Sequence, residues 1–593
     1  MNIQLKSNGL KPTKIALILS AILSTASSPA FSSQDSYVID QSTASDNRTI
    51  NVPSGSDISY IDVSVDDGLV IVDDNTSVTS IGTYPDDTLV SYEGYFIKST
   101  AGLVDLGNHF TLNYDYDEGQ NHNSGGVATL LEGTGKLAAE NLSIDANGTR
   151  AITLYNQSRA DLKGITTIEN GSLETFQDST INAENLNMVY SIPGSSAGSG
   201  RDGFLNLQGK TSNFSGDVNI QVQMTVDYNS YLKAIYIQNN TAQFAGKTNI
   251  NLDVAEGEAT GVELLDSDRQ LGGGAHWDEY FYNNDVSFND LAIKAHSHSD
   301  AGTQSHARGI YSRSVSGNTD LSINNLSVDV SGSDSALGIG LHDEGALGSA
   351  KYRINNAYIT VSGGDSSWLK GYQSTRFDSA STDTVINNIN IQSHGGREAA
   401  LIEQMGSNDY FTGDITLGSQ DSYESVADKL YSIYGFNTGE RGSTNIVDNN
   451  RLVAWGEMYA GDNHTINIIS GDNSYIYGDT VIEDSGAILM TLNGTNSRWD
   501  MVGDSTVTNL MLNGSTLNFM PGSTQNSNLS RNYVSFKTLR VTGDYHGSDS
   551  NIVMNTQLGD DNSPTDRLIV DGNTSGTTNV KVVNVGGGWR LHY

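Results

Sequence analysis

Thr211-Ser212-Asn213-Phe214-Ser215-Gly216-Asp217-Val218-Asn219-Ile220 recurs 30 residues downstream as Thr241-Ala242-Gln243-Phe244-Ala245-Gly246-Lys247-Thr248-Asn249-Ile250. Further along, Ile323-Asn324-Asn325, Ile354-Asn355-Asn356 and Ile386-Asn387-Asn388 follow at offsets of 31 and 32. A fixed spacing of this size marks stacked structural repeats. The repeats share an internal grammar. After the Asn pair comes an alternating strand, Leu326-Ser327-Val328-Asp329-Val330, then a polar loop, Ser331 to Ser335, then a second strand, Ala336 to Leu341. The couplet returns as Tyr358-Ile359-Thr360-Val361 with Trp368-Leu369-Lys370-Gly371-Tyr372, and as Ile389-Asn390-Ile391 with Ala399-Ala400-Leu401-Ile402. Weaker copies lie at Leu142-Ser143-Ile144 with Ala151 to Leu154, and at Leu291-Ala292-Ile293 with Arg308 to Tyr311.

Alternation turns one apolar face of each strand inward. A unit this small cannot bury that face alone and must stack on its neighbours. Strands of successive repeats then pair in parallel and in register, so the expected fold is all-β, a right-handed parallel β-helix. Asn at the turns suits it, because identical side chains can ladder along the axis. The spacing implies roughly fifteen turns. A propeller or a row of sandwiches would need antiparallel hairpins, whose dipeptides are sparse here.

The C-terminal segment reads differently. Trp499-Asp500-Met501 is followed by Leu510, Leu512, Leu517 and Phe519, then Phe536-Lys537-Thr538-Leu539 and Gly543-Asp544-Tyr545-His546-Gly547. Leu558-Gly559-Asp560-Asp561 leads through Asp566-Arg567-Leu568-Ile569-Val570-Asp571-Gly572 to Val580-Lys581-Val582-Val583-Asn584. Short β-branched runs are punctuated by Asp571-Gly572 and Ser575-Gly576, and Asn513-Gly514 separates Met511-Leu512 from Leu517-Asn518-Phe519. This ordered series resembles the membrane-proximal end of a pertactin-like autotransporter passenger, an autochaperone-like cap that seeds folding. The resemblance implies a type V secretion adhesin whose passenger is followed by a helical linker and an outer-membrane β-barrel. Residues 586–593, ending Gly588-Trp589-Arg590-Leu591-His592-Tyr593, do not match that linker. The expected organisation is a signal peptide at 1–32, a repeat-built passenger at 33–489, the cap at 490–585 and an aberrant tail at 586–593.

Lys6, Lys11 and Lys14 precede a short apolar run from Ile15 to Leu23, and Ser28-Pro29-Ala30 or Ala30-Phe31-Ser32 offers a cleavage triplet. That is a secretory signal, too short for a permanent anchor. No other stretch reaches the length of a membrane helix, so no membrane span is expected in the mature chain. Cysteine is absent from all 593 residues, which suits a chain that crosses a narrow pore unfolded. The formal charge of −37 includes the three signal lysines and no signal acids, so the remainder stands near −40. Such a surface repels phosphates and anionic headgroups, which excludes nucleic acid as a partner. Hydrophobic residues make up 36%, with 63 glycines, 7 prolines and 28 tyrosines. That is thin for ordinary globular cores, and only the periodicity argues against disorder.

Three constellations could carry chemistry. His296-Ser297-His298-Ser299-Asp300, with His306 nearby, offers imidazoles and a carboxylate for zinc; the segment reads as a polar loop, and no further ligand is set by spacing. Gly364-Asp365-Ser366-Ser367 and Gly503-Asp504-Ser505-Thr506 resemble the Gly-Asp-Ser setting of serine-protease nucleophiles. The protease autotransporters carry Gly after that serine, where Ser367 and Thr506 stand here, and no His and Asp partners are evident. Asp66-Asp67, Asp73-Asp74 and Asp86-Asp87 could attract calcium, yet they lack a binding-loop pattern and read as solvated turns. No catalytic, cofactor or metal residues are therefore assigned, and no cofactor is expected.

The reading is a non-enzymatic, adhesin-like passenger, acting in adhesion, autoaggregation or biofilm contact, and a truncated or non-functional remnant if the tail is genuine. Its partners would be host-cell, matrix or self surfaces, with the chain monomeric or self-associating. It would be exported, periplasmic as encoded, and at the cell surface in an intact family member. The alternative is a secreted β-helix enzyme acting on polysaccharide. With only 32 Lys plus Arg and no basic cluster, a means of stabilising an anionic sugar transition state is not evident.

Overall fold

The computed structural model describes residues 35–586, apart from 41–48, 55, 57, 82–94, 116–125, 192–202, 225–230, 256, 267–282, 299–304, 315–316, 344–348, 377–380, 437–440, 522–535 and 560–561. The signal peptide, Asp86-Asp87, Asp300, Asp560-Asp561 and residues 587–593 lie outside the described residues. Residues 1–184 and 185–593 form two compact units.

In the first unit, Ile58–Val72, Tyr95–Asp115, Lys136–Asp145 and Arg159–Glu169 pair successively in parallel. Val127–Leu131, Arg150–Leu154 and Ser172–Phe176 form a second parallel ladder. Leu112, Ile144 and Ile168 stand opposite one another and are buried. Corners are turned by Asn141, Asn147, Asn156 and Asn170, all with left-handed backbone, which a short amide side chain tolerates better than most.

The second unit repeats the plan on a longer scale. Val218–Met224, Thr241–Val254, Asn283–Ser297, Asn318–Gly332, Ser349–Gly363 and Ser381–Gly395 form one parallel ladder. Ile220, Ile250, Ile293, Val328, Ile359 and Ile391 lie opposite one another in it. The sequence repeat is thus literal: Phe214 faces Phe244, which faces Phe288. Their rings stack at 4.8 and 4.4 Å, 9° and 11° from parallel. Among the described residues, the registers that can be followed are parallel, and antiparallel contact occurs at the isolated bridges Asn493–Gly514 and Thr556–Thr565. The architecture is a right-handed parallel β-helix.

The strands run longer than the sequence grammar suggests. Asn318–Gly332 is one strand of 15 residues, and the Asn pair lies inside it. Asn324 and Asn325 are consecutive exposed residues that break the in-out alternation. The chain therefore bends at a corner without leaving the ladder. Asn325 donates to Asp290 (2.6 Å), Asn356 to Asn325 (2.8 Å) and Asn388 to Asn356 (3.0 Å). The amide ladder expected from the repeats is present, at corners within strands instead of in loops between them. Similarly, Asn513-Gly514 is a corner and not a hairpin. Asn509–Asn513 pairs with Ala487–Asn493, while Thr516–Phe519 pairs with Arg498–Met501.

On the opposite ladder of this unit, Gly261, Gly309, Gly338 and Gly371 each precede a buried Val, Ile or Tyr, so two consecutive residues face inward. The core also holds a polar seam. The Tyr372 hydroxyl donates to Asp409 at 2.8 Å, Gln404 donates to the same oxygen, and Thr444 bridges Gln404 to His464 Nε2, 3.0 Å away. All five side chains are fully buried, where hydrogen bonding offsets the desolvation of polar atoms.

Candidate binding surface

Among the described residues, the chemistry-bearing side chains read from the sequence lie apart from one another along the rungs. His296 is near the end of the strand Asn283–Ser297, not in a loop. Its ring lies 6.1 Å from that of His298, which sits 3.5 Å from the Asp253 carboxylate. His306 contacts the Ser335 hydroxyl at 2.7 Å instead. Among the described residues, no group of three or more His, Asp or Glu side chains is placed to hold a metal ion. Ser366 is exposed on a turn, which Ser367 closes by donating to the Gly364 carbonyl at 2.5 Å. Ser505 donates to Gly503 O and accepts from Thr480 N, both at 3.2 Å, and Asp504 accepts from Thr538 N at 2.7 Å. In the first unit, Asp74 accepts from Asn108 N at 2.9 Å, and Asp66 accepts from Thr134 at 3.3 Å. The serine hydroxyls thus close their own turns, and Asp66, Asp74, Asp504 and the Thr480–Ser505 contact tie separate rungs together.

What the fold does bring together is a stripe on the outer face of the second unit. Successive strands place Tyr236, Glu263, Tyr311, Gly340, Gln373, Glu403, Tyr434 and Tyr459 in one line. Beside it runs a set of cations laid over rings: Lys233 on Tyr236 (4.6 Å), Arg308 on Tyr311 (4.7 Å), Lys370 on Trp368 (5.1 Å) and Lys429 on Tyr431 (4.8 Å). Each cation also meets a carboxylate: Glu263 at 3.2 Å, Glu258 at 2.5 Å, Glu403 at 2.7 Å and Glu457 at 2.6 Å, in the same order. At the C-terminal end of the stripe, Tyr434 and Tyr459 stack at 4.8 Å, and Tyr431 tilts against both. The Tyr459 hydroxyl donates to Glu483 at 2.6 Å.

Burial shapes the electrostatics of this stripe. Glu457 is pushed up to about 7, first by desolvation and then by Asp479, against the pull of Lys429. Burial also raises Glu263, opposed by Lys233. Burial comes first for Tyr459 as well, with Glu483 adding to the upward shift. At the strand spacing of about 4.8 Å, the stripe offers half-buried rings at Tyr311, Tyr434 and Tyr459, while Tyr236, Gln373 and Glu403 are buried beneath their neighbours. That is a surface for many weak contacts along an extended partner. Sequence reading quoted Arg308-Gly309-Ile310-Tyr311 without seeing its role. The signal was Lys233-Ala234-Ile235-Tyr236, the same cation-x-x-Tyr pattern two strands earlier in the same ladder.

Comparison with known proteins bears on the C-terminal segment. Residues 505–590 match the family Autochaperone Domain Type 1. A 52-residue segment is 50% identical to the Adhesin BmaC autotransporter of Brucella suis biovar 1 (strain 1330), covering 9% of this chain and 2% of that protein. In Escherichia coli (strain K12), the uncharacterized protein YdeU is 49% identical over 49 residues, 8% of this chain and 10% of its own length. The uncharacterized protein YuaQ of the same strain is 35% identical over 114 residues, 18% of this chain and 8% of its own. The chain thus matches only a small part of each of these relatives. A chain of the Vag8–C1 inhibitor complex aligns over 90% of this chain and 99% of its own, at 11% identity and a TM-score of 0.33, too loose a likeness to argue from. Among the described residues, no helix is long and apolar enough to cross a membrane. Residues 505–590 thus carry the autochaperone domain of an exported protein, and in that domain, set on a parallel β-helix, the chain is similar to autotransporter passengers.

Proposed function

We propose that this passenger is a non-enzymatic adhesin that holds host cells, extracellular matrix or other copies of itself through the outer stripe of its second unit. The observation that supports this is the unbroken register of Tyr236, Glu263, Tyr311 and onward to Tyr434 and Tyr459. Contacts that are each worth little add up when they repeat along a rigid rod. The name of the Brucella suis relative, an adhesin, points the same way. Surface display is part of the reading, and protease shaving of intact cells that express a tagged copy checks it.

The function test is binding of labelled, purified chain to epithelial cells, to immobilised fibronectin, laminin and collagen, and to itself. Binding is expected to fall at least tenfold in Tyr434→Ala/Tyr459→Ala with the melting temperature of the chain little changed. No binding to any of these surfaces, or binding indifferent to the stripe, defeats the proposal. Release of reducing sugar from plant or bacterial polysaccharide would defeat its non-enzymatic part.

A further inference from the structure

The stripe carries its own cations until its C-terminal end. Lys233 and Arg308 stand three residues before Tyr236 and Tyr311, and each brings a ring and a carboxylate together. Arg308 is the fullest case: its guanidinium lies over the Tyr311 ring at 4.7 Å, while Nη1 meets Glu258 at 2.5 Å. The strand register carries that position from Lys233 through Arg308 and Lys370, on alternate strands, to Tyr431 and then Glu457. A ring and then an acid thus stand where the cations stood, beside Tyr434 and Tyr459, which end the line. Among the described residues, no cation lies over either of those two rings.

That end is left rich in acceptors. Tyr434 and Tyr459 stack 23° from parallel, and both are half-buried. Glu483 is exposed, accepts the Tyr459 hydroxyl and, among the described residues, forms no ion pair. Glu403 precedes Tyr434 in the line. Lys370 and Gln373 donate to its Oε1, whereas its buried Oε2 accepts no hydrogen bond among the described residues. The Tyr434 hydroxyl is raised first by burial and then by Glu403, Glu483 and Glu398, with Lys429 opposing them, so carboxylates dominate the field around the rings. Asn437-Thr438-Gly439-Glu440, which follows the strand of Tyr434, lies outside the described residues and has no cation in its sequence. A ring face is electrostatically negative, and a cation seated on it is held more firmly when a carboxylate stands beside it. Arginine suits such a place better than lysine, because a planar guanidinium stacks on a ring while pairing with a carboxylate, as Arg308 does within this chain.

We propose that Tyr434, Tyr459 and Glu483 form a receptor for arginine side chains of a partner polypeptide, in which a guanidinium takes over Tyr459 and Glu483 the place that Arg308 holds over Tyr311 and Glu258. A polypeptide is the occupant because rings and acids continue along successive strands, and an extended segment with spaced arginines can follow them, whereas a lone amine would use one rung. A second copy of this chain is disfavoured by its net −37. The inference rests on the stripe as the adhesive surface and names the chemistry of what it holds.

The test is fluorescence anisotropy of a labelled arginine–serine repeat peptide with the purified full chain at about 150 mM NaCl, where attraction to the net charge as a whole is largely screened. A citrulline counterpart keeps the peptide's shape and removes its charge. Wild type is expected to bind the arginine peptide at least tenfold more tightly than the citrulline one. Tyr434→Ala/Tyr459→Ala leaves the net charge as it is and should lose at least tenfold, whereas Tyr434→Phe/Tyr459→Phe keeps the rings and should stay within about threefold. Glu483→Lys, at an exposed position, serves if the alanines lower the melting temperature, and it too should lose at least tenfold. Glu169→Lys makes the same change of charge at an exposed position of the first unit and should bind as wild type does. No binding of the arginine peptide, equal binding of the citrulline peptide, or a loss that Glu169→Lys matches overturns the proposal. Arginine-peptide binding without binding to cells or matrix upholds this site and defeats the adhesion reading. Cell or matrix binding that needs the tyrosines yet ignores competing arginine peptide keeps adhesion and overturns the receptor.

Discussion

A Cβ added to Gly338 would stand 2.4 Å from Cγ2 of Ile359, on the facing sheet of the same β-helix. The relationship is repeated by Gly261 with Ile293 (2.5 Å), Gly309 with Val328 (2.5 Å) and Gly371 with Ile391 (2.2 Å). Four glycines in a column thus set how closely two walls of the solenoid approach. The β-branched partner fills the space that the missing side chain leaves.

Gly338→Ala is therefore expected to cost about 1–3 kcal/mol by overpacking, with part of the cost arising from the Gly371 carbonyl, also 2.4 Å away. Denaturant unfolding measures it. In a double-mutant cycle, Ile359→Ala should recover part of the loss. Simple additivity would show that the pair is not in contact.

The Phe214–Phe244–Phe288 stack puts the central ring between two others. Phe244→Ala is expected to lower stability by about 3–5 kcal/mol, the range for a buried aromatic. Phe244→Leu, which keeps most of the volume, should cost less than half of that. Equal losses for the two would mean that volume is not what the position needs.

His464 is buried, and burial lowers it to about 4 from 6.5. Between those values the unfolded chain binds the proton and the folded one does not. Stability is therefore lost as pH falls from about 6.5 toward 4, by at most about 3 kcal/mol at 1.36 kcal/mol per unit. His464→Gln should flatten this part of a melting-temperature profile over pH 4 to 7. An unchanged slope would place the acid sensitivity elsewhere.

Glu457 acts in the opposite sense. Its folded value, about 7, lies above the ordinary 4.5, so the folded chain holds the proton longer. This contribution is fully present below 4.5 and is lost as pH rises through about 7. Glu457→Gln should remove that decline, and the variant should gain on wild type between pH 5 and 8. The Lys429 contact (2.6 Å) is an ion pair only where Glu457 is ionised, so the change in slope across pH 5 to 8 is the diagnostic.

Much of the architecture was legible in the one-dimensional pattern. An offset of 30 between Phe214 and Phe244, and of 31 and 32 between the Asn pairs, implies stacked rungs, because identical residues at a constant interval pair in register. The cap motifs from Trp499 to Asn584 were readable for the same reason, being local and ordered. The sequence could not show that Asn324-Asn325 bends a continuous strand. Propensity sees a polar pair as a turn, whereas the ladder on either side holds the backbone extended through the corner.

Only the tertiary structure decided which distant residues share a surface. Lys370 meets Glu403 and Lys429 meets Glu457 because one rung lies above the next, and the length of chain between rungs varies from turn to turn. It also decided burial, since nothing in a valine's own letters tells a buried one from an exposed one. Burial belongs to the neighbours a residue finds in three dimensions, and a sequence records only the neighbours along the chain.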